Sequence, residues 1–209
     1  MKVLLVNGAP HEKGCTYTAL CEIEKALNAA GVDTEIFWLG NKPVRGCIGC
    51  GGCAKNDGKC VFNDDIANTL IDKAAEADGF IFGSPVHYAS ISGNLAGFMD
   101  RLFYSSPKSL FRLKPAAAVL SARRAGTTAS FDQLNKYFSI SEMPIISSRY
   151  WNMVHGSTAE DVTKDAEGLW TMRVLAENMA YHLKCKEAAA KAGIQLPEQE
   201  TPVFTNFVR

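Results

Sequence analysis

The sequence predicts a doubly wound α/β fold, with one five-stranded parallel sheet and helices on both of its faces. Short apolar runs without polar alternation recur along the chain, as in strands buried on both sides. Segments with apolar residues at helical spacing separate them. The two kinds of segment alternate five times, which implies a parallel sheet and, with right-handed crossovers, few topologies.

The first strand is Lys2 to Val6, closed by Asn7-Gly8. A helix opens at Thr16, carries Leu20, Ile23, Ala26, Leu27 and Ala30, and stops at Gly31. Thr34 to Leu39 is rich in β-formers and makes the second strand. Asp64-Asp65 starts the next helix, with Ile66, Leu70, Ile71 and Ala74 on its buried face. Gly79 to Gly83 is the third strand, followed by a helix from about Gly93 to Phe103. Ala116 to Leu120 is the fourth strand, with Phe131, Leu134 and Phe138 marking the helix after it. Met143 to Ile146 is expected to be the fifth strand. A long helix over about Glu167 to Lys191 closes the domain, taken as residues 1–192. The remainder, 193–209, has Pro202, Phe204 and Phe207 but no helical period. It is expected to be a loosely packed tail, with an arm across a neighbouring subunit as the alternative.

Lys+Arg and Asp+Glu both number 22 in 209 residues, so the formal charge is zero. A nucleic-acid footprint needs a clustered positive excess, and an acidic electron shuttle needs the opposite. Neither is present. The apolar runs are far shorter than the ~20 residues that span a bilayer. Met-Lys-Val-Leu-Leu-Val-Asn-Gly meets a glycine too early for a signal-peptide core. A cytoplasmic protein, with no nucleic-acid or membrane partner, is therefore expected.

Ligands of open α/β sheets bind beyond the carboxyl ends of the strands. Three segments at those ends have unusual sequence. Gly8 to Thr16 joins the first strand to the first helix, where glycines and orphan helix N–H groups suit an anion. Thr16 can add a hydroxyl or cap the helix, and His11 can reach a phosphate or stand in solvent. No Gly-Lys-Ser/Thr follows, so this is not a P-loop. Gly83 to Gly93 places Pro85, His87 and Tyr88 where a flat heteroaromatic ring needs packing and backbone polar groups. Ser121 to Thr128 brings Arg123, Arg124 and Gly126, either to a ring edge or dinucleotide phosphate, or merely to solvent. The aromatic stretch Tyr150 to Val154 leads to His155, which either lines an acceptor pocket or forms a core edge. His182 reads as a surface residue.

The strand followed by Gly-x-Pro-x-x-x-Gly-x-Thr, then Gly-Ser-Pro-Val-x-Tyr-x-x-x-Ser-Gly with Phe98-Met99-Asp100-Arg101 behind it, resembles the NADPH-dependent FMN reductase superfamily. The cysteine segment 47–60 followed by Asp64-Asp65 is similar to its iron–sulfur flavoprotein branch. The resemblance covers about residues 1–150. It implies a flavodoxin-like fold, non-covalent FMN, and dimers or tetramers that complete the flavin site. It puts the phosphate in the loop of Ala9, Pro10, His11, Gly14, Cys15 and Thr16. It puts the isoalloxazine against Pro85, Val86, His87 and Tyr88, and against the loop of Ser121, Ala122, Arg123 and Gly126. Relatives commonly have Ser, Arg and Asn where this chain has Ala9, His11 and Cys15, so some phosphate bonds must be made differently. The implied activity is FMN-dependent NAD(P)H oxidation with a small-molecule acceptor, requiring no named catalytic acid or base. The alternative is a relay from ferredoxin through a [4Fe-4S] cluster to FMN, and a further alternative is a non-enzymatic zinc-binding module.

The chain has seven cysteines, and Cys47, Cys50, Cys53 and Cys60 lie in a long glycine-rich loop from Gly40 to Asn63. An odd total and tight clustering disfavour a secreted disulfide framework. The Cys-x2-Cys-x2-Cys-x6-Cys spacing suits four thiolates around a [4Fe-4S] cluster or zinc, and equally a loop of free thiols or a disulfide. Cys21 and Cys185 fall in helical segments. Cys15 beside a helix start is either structural or a reactive thiol of lowered pKa.

Overall fold

A computed structural model describes residues 1–205. Its strands are β1 (Lys2–Asn7), β2 (Asp33–Trp38), β3 (Gly79–Pro85), β4 (Ala116–Ala122) and β5 (Met153–His155). The helices are α1 (Cys15–Ala29), α2 (Ala67–Ala75), α3 (Gly93–Ser105), α4 (Thr127–Ile140), α5 (Ala159–Lys164) and α6 (Ala166–Lys191). The five strands form one sheet in the order β2-β1-β3-β4-β5, and every pairing is parallel.

Alternate residues of each strand face opposite layers. On one face Leu4, Val6, Phe80, Phe82, Ala118 and Leu120 pack with Leu70 of α2, Leu95, Phe98 and Leu102 of α3, and Leu134 and Phe138 of α4. On the other, Val3, Leu5, Ile81, Val119 and Val154 meet Leu20, Ile23 and Leu27 of α1 and Met172, Leu175 and Met179 of α6. This two-sided burial explains why the strands read as unbroken apolar runs.

The fifth strand is not where the sequence suggested. Met143 to Ile146 makes only a single parallel bridge, Ile145 opposite Ala116. Pro144 accepts from Ala116 N at 2.9 Å but has no N–H to give, and Ile146 N donates to Ala116 O at 2.9 Å. The chain then leaves the sheet, and Ser147 O and Ser148 Oγ bond to Asn178 and Thr171 O of α6. The strand proper is Met153–His155, paired with Leu120–Ala122. His155 therefore ends the edge strand instead of following it. The short helix α5 was not foreseen. The acidic pair Asp64-Asp65 lies before α2, which begins at Ala67; Asp65 Oδ1 accepts from Ala67 N at 3.1 Å. After Lys191 every described residue is exposed. No helix among the described residues is long and apolar enough to cross a membrane.

Candidate functional site

From β1 the chain turns to β2 on one side, whereas β3, β4 and β5 follow on the other. The connections after β1 and β3 therefore diverge and leave a crevice at the strand ends. A cleft of about 360 Å³ lies there. It is lined by Ala9, Pro10, His11, Gly14, Cys15 and Thr16, by Pro85, Val86 and His87, and by Ser121, Ala122 and Arg123. Gly156 and Ser157, from the loop after β5, complete the wall.

The first loop is held by Asn7, which is fully buried. Its side chain donates to Glu12 O at 2.9 Å and accepts from Ala9 N at 3.1 Å, curling the chain back over the end of β1. Trp38 Nε1 fixes Ala9 O at 2.8 Å. Gly8 N donates to Gly83 O at 2.8 Å, and a Cβ on Gly8 would lie 2.9 Å from Leu95 Cβ and 3.0 Å from that carbonyl. Only glycine permits this approach between the first two loops. Gly14 is the N-cap of α1, with no side-chain cap, and the first turn has no acidic residue. The helix thus presents orphan N–H groups and its positive end to the cleft without local neutralisation.

Thr16 does not cap the helix. It is buried, and its hydroxyl is 2.9 Å from Ser121 Oγ, tying α1 to the end of β4. Cys15 Sγ donates to Gly156 O at 3.6 Å. Burial raises the Cys15 thiol pKa, against the lowered value that a reactive thiol would need.

The second loop is anchored by Ser84 and Ser92. Ser84 Oγ accepts from Ser92 N at 2.9 Å, and Ser92 Oγ donates to Gly8 O at 2.6 Å while accepting from Leu95 N at the start of α3. His87 and Ser90 exchange backbone bonds at 2.9 Å around Tyr88 and Ala89. Both central residues have positive φ, 51° and 58°, a conformation that disfavours side chains with a Cβ. The turn aims Tyr88 outward, so it is fully exposed and does not line the cleft. Gly126 (φ +91°) does not line it either. It abuts this turn, and a Cβ there would lie 2.8 Å from Ala89 Cα.

The sequence reading overlooked Asn7, Gly156 and Ser157. Asn7 was legible only as a strand end. For the other two a signal existed in Thr158 and Asp161, which form a capping box at α5 directly after Ser157. His155 lines a separate small hollow with Tyr150, Trp151 and Asp165.

The cleft fits a phosphorylated planar cofactor by its donor set. The start of α1 offers unpaired N–H groups, Pro85, Val86 and His87 line the cleft, and the exposed Arg123 brings a cation to it.

The four clustered cysteines share one concavity, lined also by Ile48, Val61, Phe62, Arg101 and Tyr104. None of the four is in a disulfide. Among the described residues no three His, Cys, Asp or Glu side chains are grouped closely enough to hold a metal ion. Four cysteines at one concavity could supply the thiolates that either a [4Fe-4S] cube or a tetrahedral zinc takes. The enclosed space is about 20 Å³, so the rim has to open to admit a cube. Cys47 and Cys50 are exposed on that rim, and Gly49, Gly51 and Gly58 have positive φ. Gly49 N donates to Cys47 Sγ at 3.4 Å. The donor set fits such a cluster.

Residues 1–158 match the NADPH-dependent FMN reductase family. An iron-sulfur flavoprotein of Methanocaldococcus jannaschii is 33% identical over 194 residues, covering 88% of this chain and 98% of that protein. An FMN-dependent NADPH-azoreductase of Staphylococcus saprophyticus is 32% identical over 120 residues, covering 57% of this chain and 59% of that one. The structure of an archaeal flavodoxin superposes with a TM-score of 0.57 at 18% identity, covering 88% of this chain and 99% of the flavodoxin. That likeness concerns the fold.

Proposed function

Because the chain belongs to the NADPH-dependent FMN reductase family, we propose that it is an FMN-dependent NAD(P)H oxidoreductase. Its acceptor is a small molecule such as a quinone, an azo or nitro aromatic, or a flavin. The observation that carries this is the convergence of three strand-end loops on one cleft that is also lined by the uncapped start of α1.

FMN bound there would supply two-electron redox chemistry between a nicotinamide and the acceptor. The protein binds and orients. The N–H groups at the start of α1 would hold the phosphate, and the exposed Arg123 would balance its charge. Pro85, Val86 and His87 form the packing wall for the ring. Ser90 Oγ and Ile91 N both donate to Gln133 Oε1, at 2.8 and 3.1 Å, so the second loop is braced from α4. No side chain is required as a proton donor. A homodimer or homotetramer is part of this reading, with the exposed Tyr88 at the cleft's edge available to a neighbouring subunit.

The test is to purify the protein without oxygen, record its absorption and follow NADPH and NADH oxidation with a quinone or an azo dye. Structured flavin bands with acceptor-dependent turnover support the reading. Colourless protein that takes up no FMN at micromolar concentration overturns it. A second reading, an electron relay from ferredoxin through a [4Fe-4S] cluster to FMN, is favoured by the four cysteines that line one concavity. Broad iron–sulfur absorbance, with four irons per chain and electron uptake from ferredoxin but not from NAD(P)H, would select it.

A further inference from the structure

Among the described residues Arg101 is the largest fully buried side chain, and it lies on α3 with its side chain 0% exposed. A guanidinium stays charged in proteins, so its burial is costly unless it is paired and hydrogen-bonded. Most of its partners come from the chain on either side of the cysteines. Nη1 pairs with Asp65 and donates to Arg45 O at 3.4 Å. Nη2 donates to Phe62 O at 2.8 Å. Residue 45 lies two positions before Cys47, and residues 62 and 65 lie just after Cys60. Arg101 also lines the cysteine cavity, and its buried Nε has no partner.

We propose that Arg101 is the positioning residue of the four-cysteine site. It clamps both arms of the loop to α3 and presents a buried cation, with one unspent N–H, to the sulfurs. Asp65 is the counter-charge that tempers it. This inference rests on the reading that the cysteines hold a [4Fe-4S] cluster. Adding one electron to such a cluster increases its negative charge, and its potential responds to nearby charge and to hydrogen bonds on sulfur. A buried cation beside the sulfurs favours the reduced form, and a buried carboxylate opposes it. The two residues therefore act with opposite signs, which a purely mechanical brace would not produce.

The experiment reconstitutes wild-type protein, Arg101→Met, Arg101→Lys and Asp65→Asn with iron and sulfide under anaerobic conditions. Iron per chain is counted, and the cluster is titrated with dithionite and mediators, read by its electron paramagnetic resonance signal. Arg101→Met is expected to shift the midpoint to more negative potential and Asp65→Asn to more positive potential. Arg101→Lys, which keeps the charge, is expected to stay closer to wild type. If Arg101→Met yields no soluble protein, the directions for Asp65→Asn and Arg101→Lys decide. Wild-type protein that binds no four-iron cluster removes the reading beneath the inference and the inference with it. A loaded wild type whose variants shift in the same direction, or not at all, overturns the role of Arg101 alone.

Discussion

Thr16 and Ser121 are 105 residues apart, yet their hydroxyls meet inside the molecule at 2.9 Å. The pair joins the helix that would hold a phosphate to the strand that carries the third loop. Replacing Thr16 by Val keeps the shape and strands the Ser121 hydroxyl, so a loss of about 1–3 kcal/mol is expected. Thermal or urea unfolding measures it, and FMN titration is expected to show weaker binding because the two walls lose their tie. Neither partner advertised this contact. Thr16 is a good N-cap residue by type and position, and reading it as a cap was reasonable chemistry. Gly14 takes the cap position instead, so the Thr16 side chain falls on the buried face of the first turn. Asn7 was hidden for a similar reason, since a polar residue closing a strand looks like the start of a turn. Its burial and two loop bonds appear only when the loop folds back over it.

Element boundaries were legible wherever local chemistry set them, and lost where distant partners did. The helices α1, α3 and α6 follow their apolar spacing closely. β5 is only three residues long and carries no strong strand pattern, whereas Met143 to Ile146 carries a better one. What decides between them is the register of β4, which offers Ala116 to the first segment and Leu120 to Ala122 to the second. The capping box of α5 steadies the loop that brings Gly156 and Ser157 to the cleft. Thr158→Ala is expected to cost about 1 kcal/mol in unfolding free energy and to weaken FMN binding with little change in the far-ultraviolet spectrum. Glu35 on β2 links two elements, pairing with Lys2 of β1 at 2.7 Å and with Lys73 of α2. Hydrogen bonds from Lys2 and then Lys73 hold its carboxyl below the ordinary range. The stabilisation is therefore present above the unfolded-state pKa of about 4.3 and disappears as pH falls through the lower folded-state value. The group is partly exposed, so the effect should stay within about 1 kcal/mol. Glu35→Gln should flatten that part of the stability–pH curve, as denaturant melts between pH 3 and 7 would show.

At the scale of the whole molecule, residues 193–205 lie outside both core clusters and are exposed. Arg112 donates to Pro197 O at 3.0 Å and Gln199 to Glu142 at 2.8 Å, both on the surface. Ending the chain at residue 192 is expected to lower the melting temperature by no more than a few degrees, checked by calorimetry at fixed protein concentration; a large drop would mean that the tail packs against a core or a neighbouring subunit. The fold class, the three candidate loops and the cysteine cluster could all be read from the sequence, because strand burial, helix period, glycine placement and cysteine spacing are local properties. Which loops share a cleft, which strand closes the sheet and which charge faces the cysteines could not. Those depend on the reversal of strand order about β1 and on contacts between residues far apart in sequence, as when Arg101 meets Asp65 or Thr16 meets Ser121. The chain alone thus determined what each segment is, and tertiary packing decided what each segment touches, because burial energy is settled among distant neighbours once the sheet has closed.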